Sequence, residues 1–176
     1  MTETRSETEP IEGVPIEADL ADLVKDDPYT RVAFTPAAVE MLQILREQHG
    51  PLMFHQSGGC CDGSAPMCFP RSEFIVGDAD VLLGVLRDGD AETPVWISGS
   101  QFELWKHTQL LLDVVAGRGA GFSVEAPEGV RFLTRSRVFD PAEQAWLEAC
   151  PAPRGRDGPG CAAGSTPVPS TSEAPG

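Results

Sequence analysis

Positive charge is scarce in this chain. Thirteen Lys and Arg stand against 27 Asp and Glu, a formal net charge of -14. Such acidity repels phosphate backbones and anionic lipid surfaces, and no Lys/Arg-rich face counters it, so nucleic acid is not an expected partner. Long apolar runs are also missing. Nothing approaches the roughly 18 consecutive apolar residues of a membrane span, and the start, "MTETRSETEPIEG", has no apolar stretch behind a basic one. The expectation is a cytoplasmic protein without a membrane partner. Cysteines number only five, an odd count with three in one loop. That is not how a secreted disulfide framework is spread, so reduced thiols are expected.

What remains, 176 residues with 41% apolar content, is enough for one domain and too little for two large ones. Residues 1–27 hold nine Asp/Glu against Arg5 and Lys25, with little to bury. Residues 1–30 therefore read as an acidic disordered tail. The other end, from about residue 150 to 176, is almost entirely Pro, Gly, Ser, Thr and Ala and reads as a second disordered tail. A single globular domain is expected over residues 31–149, with no internal repeat.

Within it, Thr35 is a cap and Pro36 a first helical residue. Ala38, Met41, Leu42 and Leu45 form an i, i+3, i+4, i+7 stripe, and Gly50 is the stop. "PLMF" then suits a strand. "RSEFIV" and "VLLGVL" around "GDAD" predict a hairpin, and "PVWIS" a further strand. Ser100 to Glu103 carries a capping-box pattern that starts at least one helical turn. A strand from about Thr108 to Val115 leads through "AGRGAG" to "FSVEA", read as a loop and a returning strand. "VRFLTRSRVF" alternates like a half-buried edge strand, and Asp140 to Glu143 opens a last helix with Trp146 and Leu147 inward. The fold class is α+β, a compact mixed or antiparallel β domain with one main N-terminal helix.

Chemistry concentrates in "HQSGGCCDGSAPMCFP", residues 55–70. His55, Cys60, Cys61 and Cys68 amount to a Cys3His set, which zinc and some iron sites use. Gly58 and Gly59 permit unusual backbone geometry around a bound thiolate. Adjacent side chains point apart, however, so one of Cys60 and Cys61 faces away from a common centre unless the backbone bends sharply. His107 is the candidate contributor from elsewhere, against the plainer reading of a histidine packed beside Trp105. Glu125 and Glu128 flank Pro127 and read as a solvated turn. Arg131, Arg135 and Arg137 share one side of a strand, fit either to hold an anion or to guard a sheet edge. Cys150 and Cys161 read as incidental.

The stretch "HGPLMFHQSGGCCDGSAPMCFP" with "WKHTQLLLDVVAGRGAGFSVEAPEGVRFLTRSRVF" resembles the bacterial domain-of-unknown-function 779 (DUF779) family over residues 31–140. The resemblance implies no established activity, but it implies a neighbourhood, since members are often encoded beside aldehyde dehydrogenases. More distantly, the order of elements, with "GGC" at Gly58–Cys60 and "GAGFSVEAP" at Gly119–Pro127, is similar to HesB-like A-type iron-sulfur carriers. Those carriers place a Cys-x-Cys pair shortly after the position of Pro127, where this chain has no thiol.

Three functional readings follow. The first is a small cytoplasmic metal-binding accessory protein holding zinc or iron, iron-sulfur included, linked through the resemblance to an aldehyde dehydrogenase partner. A second is a thiol-dependent redox enzyme using Cys60 or Cys61. The third is a binding module whose loop is only structural, and a homo-oligomer is compatible with each.

Overall fold

The computed structural model describes residues 30–58, 65–119 and 121–155. Both expected tails, up to residue 29 and from residue 156, lie outside that set, as do Cys60 and Cys61.

Local signals place the helices. Helix α1 (Pro36–His49) begins where the Thr35 side chain accepts the Ala38 N–H, and ends where Gly50 adopts a φ of 75°. Its stripe of Ala38, Met41, Leu42 and Leu45 is buried. Helix α2 spans Gly99–Trp105 with Ser98, not Ser100, at its N-cap. Helix α3 (Pro141–Ala149) has the full capping box. Asp140 accepts from the Ala142 and Glu143 N–H groups while the Glu143 carboxylate accepts from the Asp140 N–H. Leu147 is buried on its inner side and Trp146 is partly covered. No helix among the described residues is long and apolar enough to cross a membrane.

Among the described residues, seven strands form two sheets. One has the order β1 (Val32–Phe34), β6 (Thr108–Ala116), β7 (Val130–Val138), with β1 parallel to β6 and β7 antiparallel to it. The other runs β3 (Met67–Pro70), β2 (Leu52–Gln56), β5 (Ala91–Ile97), β4 (Val81–Asp88), with only β2 and β5 parallel. The α+β class with mixed sheets is therefore the observed one.

Alternation along the strands builds the core. Leu110, Leu112 and Val114 of β6 and Phe132 of β7 join Leu52, Phe54, Cys68, Val95 and Ile97 of the other sheet in one buried cluster with the α1 stripe. Phe54 meets Phe132 edge to face at 4.8 Å between centroids, worth about 0.5–1.5 kcal/mol beyond the area buried.

Three expectations are corrected. The hairpin around "GDAD" does not form. Arg71–Val76 contains no strand and leaves Ile75 86% exposed, while β4 pairs with β5 across Gly89, whose φ is 58°. "FSVEA" is likewise not a strand. Residues 121–129 make turns and a short 3-10 segment (Ala126–Glu128), and β7 is the returning partner of β6. Third, the fold continues past residue 149. Pro153 accepts the Leu82 N–H, Arg154 bridges to Val81, and the Gly155 N–H donates to the Asp80 carbonyl.

Candidate functional site

His55 lies near the end of β2, and the pairing register decides what it can reach. Facing residues share a side of a sheet, and successive residues alternate. Phe54 faces Cys68, and His55 faces Met67. Cys68 therefore points into the core with Phe54, and His55 points to the outer face of the sheet with Met53, Phe69 and Trp96. Arg71–Asp80 packs against that face. Phe74 lies 4.6 Å from the His55 ring and 4.9 Å from Phe69, centroid to centroid.

The imidazole is buried, its side chain 7% exposed. Nδ1 is 3.2 Å from the Ser57 hydroxyl. Nε2 is 3.2 Å from Asp80 Oδ2 but is not aligned with it as a hydrogen bond, and has no hydrogen-bond partner among the described residues. Asp80 is itself fixed from several sides. Its Oδ2 accepts the Gly77 N–H at 2.8 Å, its own N–H donates to the Gly77 carbonyl, and its carbonyl accepts from Gly155. The turn that presents it rests on Gly99, where an added Cβ would come within 2.5 Å of the Ala79 carbonyl oxygen.

Of the expected ligands, His55 and Cys68 lie on opposite faces of one sheet, His107 lies in the turn before β6, and Cys60 and Cys61 lie outside the described residues. Cys68 is fully buried in the core as a free thiol. Burial, and secondarily the charge of Glu125, push its pKa well above the ordinary thiol value. Strand alternation is the reason it fails as a partner of His55. His107 is exposed in the turn before β6, and its backbone carbonyl accepts the Phe139 N–H. No group of three or more His, Cys, Asp or Glu able to hold a metal occurs among the described residues. Gly58 is not in the positive-φ region; a Cβ there would come 3.3 Å from Ser98 Oγ and Gln101 Oε1, so closeness to the start of α2 is its constraint. Cys150 is disulfide-bonded, contrary to the expectation of reduced thiols.

Sequence reasoning missed Asp80, read only as part of a turn. Its signal was the spacing Gly77-x-x-Asp80, in which a side-chain oxygen closes the turn onto the glycine N–H. Glu125 was missed as well. Far from being solvated, it is buried. It accepts from the Ser123 hydroxyl and from the Phe132 N–H. Ser123 Oγ in turn accepts the Cys68 N–H at 2.8 Å, and the Val124 N–H donates to the Cys68 carbonyl, so this loop seals the outer edge of β3. Burial raises the Glu125 pKa against the lowering effect of those hydrogen bonds.

Two of the three arginines in the row are already paired within the protein. Arg135 donates through Nε and Nη2 to buried Asp113, and Arg137 makes two hydrogen bonds to the Glu143 carboxylate and one to Gln109.

No curated protein and no solved structure matches the chain, so the likeness to HesB-type carriers has only motif order behind it. The family model for a domain of unknown function, DUF779, matches residues 41–138, which include β2, the turn carrying Asp80 and all of β7; the chain belongs to that family.

Proposed function

We propose that this protein is a small metal-binding accessory protein whose site is built around His55 and the thiols that follow it. One observation carries the reading: a buried imidazole nitrogen, Nε2, lacks a hydrogen-bond partner among the described residues. Leaving such a group unsatisfied costs about 1–3 kcal/mol, and a neutral imidazole nitrogen is the commonest protein ligand of metal ions. Nδ1 pairs with the Ser57 hydroxyl, and the tautomer in which Nδ1 donates to it leaves the Nε2 lone pair outward, the arrangement that metal-ligating histidines show. Cys60 and Cys61 follow His55 by five and six residues, and soft thiolates with an imidazole suit zinc or iron. Cys68 and His107 drop out of the ligand set. Service to an aldehyde-oxidising enzyme in the cytoplasm is the finer part of the proposal and follows from the family resemblance alone.

Metal content tests it. Elemental analysis of anaerobically purified parent should give near-stoichiometric zinc or iron. His55→Ala and at least one of Cys60→Ser and Cys61→Ser should lose it, with Cys161→Ser as the control substitution outside the proposed site. A parent that is metal-free and cannot be loaded with either ion sinks the reading. A single low-pKa thiol at Cys60 or Cys61 in such a parent would favour the redox enzyme instead.

A further inference from the structure

The contact between His55 Nε2 and Asp80 Oδ2 is close, at 3.2 Å, yet it is not a hydrogen bond. An ordinary His–Asp ion pair turns its N–H onto the carboxylate, because alignment is where the energy of such a bond lies. Here both atoms are held and neither is turned onto the other. The imidazole is fixed by Ser57 at Nδ1 and by the Phe74 ring beside it. The carboxylate is fixed by the Gly77 N–H at the same oxygen that approaches the ring, which leaves that oxygen a further lone pair.

A separation of this size has a second meaning. Histidine nitrogen and carboxylate oxygen each sit about 2.0–2.2 Å from a zinc-sized ion, and at a tetrahedral angle two such ligands are about 3.3 Å apart. Nε2 and Oδ2 therefore have the spacing of two ligands on one ion. Their supports also match what ligands need, a hydrogen bond on the other ring nitrogen and one on the carboxylate. Asp80, its side chain 15% exposed, is brought there by a turn packed on Gly99 and tied to Gly155, and not by proximity in sequence.

We propose that Asp80 is a metal ligand paired with His55, so that the site takes a borderline divalent cation of the zinc or ferrous class through one nitrogen and one oxygen. The assignment rests on the metal-binding reading above and narrows it, since an all-thiolate shell is incompatible with this pair.

The test uses the full chain stripped of metal and titrated with zinc in competition with a chromophoric chelator. The parent should bind zinc, and Asp80→Asn should bind at least tenfold more weakly, beyond the lower bound seen when only a supporting group is lost. Asn keeps an oxygen for the Gly77 N–H, so the metal-free melting curve of the variant should overlay that of the parent. Asp78→Asn, in the same turn, should bind zinc as the parent does. Equal affinity in the parent and Asp80→Asn overturns the assignment and leaves metal binding standing. Failure of the parent to bind overturns both. If Asp80→Asn does not fold, X-ray absorption at the zinc edge of the loaded parent decides. Imidazole and oxygen scatterers support the assignment, and a pure sulfur shell overturns it.

Discussion

The two sheets treat their charged groups differently. Around β6 and β7 the buried carboxylates of Asp113 and Glu143 are saturated. The Asp113 carboxylate, fully buried, accepts from the Thr35 hydroxyl, the Val114 N–H and two nitrogens of Arg135. Glu143 is gripped by two nitrogens of Arg137 and by the Asp140 N–H. At the β2–β5 sheet, His55 of β2 and Asp80 of the turn before β4 touch without bonding, although each has been positioned by other groups. A saturated network has no valence left for a ligand and acts on stability; an unsaturated pair has little to lose from the fold and a coordination position to offer. The difference teaches which polar residues to remove to break the protein and which to remove to break its site.

The largest expected effect is on the saturated side. Asp113→Ala takes the buried carboxylate away from the Arg135 guanidinium and the Thr35 hydroxyl, at a cost of about 3–5 kcal/mol for a broken buried pair. Urea unfolding of parent and variant should show that loss with no change in zinc affinity among the molecules that remain folded. A loss below about 1 kcal/mol would mean that the pair is screened like a surface bridge, and the contrast between the sheets would weaken.

How far this contrast was legible in the sequence depends on the range of the signal. Helix α1 was readable because cap, proline, apolar stripe and terminal glycine all lie within sixteen residues, Thr35 to Gly50. Helix α3 was readable for the same reason. "RSEFIV" misled because β-prone composition is a statement about half-buried surface, and nothing local shows that Ile75 finds no neighbour to bury it. Cys68 misled by nearness in sequence to Cys60, although strand alternation sends it to the opposite face from His55. Asp80 as a half-buried neighbour of His55 and Glu125 as a buried group were illegible because what surrounds them comes from β2, β7 and the segment after α3, all distant in the chain.

Next in size is Gly99→Ala. The added methyl meets backbone, the Ala79 carbonyl, and overpacking of this kind costs about 1–3 kcal/mol. Because Ala79 adjoins Asp80, the same change should shift the carboxylate and weaken zinc binding, which Asp113→Ala does not do. Thermal melts and the chelator competition together give both numbers. Lost stability with unchanged zinc affinity would separate the turn from the site and count against Asp80.

Glu125 sharpens the comparison through pH. Its folded pKa lies above its ordinary value, chiefly through burial, so the folded state holds this proton more tightly than the unfolded chain does. Its contribution to stability is then full below the unfolded value, about 4.3, and is lost as pH rises through the raised folded value. Glu143 has the opposite sign. The Arg137 hydrogen bonds depress its pKa, so its contribution is present above the unfolded value and lost as pH falls. Glu125→Gln should therefore gain on the parent as pH is raised from about 4.3, and Glu143→Gln should gain on it as pH is lowered through the acid range. Parallel curves for Glu125→Gln and parent would show that the carboxyl is not held in the buried form described.

The smallest effect is expected at the pair itself. Asp80→Asn removes a charge whose nearest ionic neighbour, His55, makes no hydrogen bond to it, and retains an acceptor for the Gly77 N–H. In metal-free protein the change should stay within about 0.5 kcal/mol, the range of substitutions that disturb no buried network. Zinc should then stabilise the parent by mass action and the variant much less, so that the two unfolding curves coincide without metal and separate as zinc is added. That separation ties the comparison to function, because the same residue would be nearly silent in the fold and decisive in the ligand. A metal-free loss approaching that of Asp113→Ala would place Asp80 among the saturated structural charges, and the difference between the two sheets would vanish.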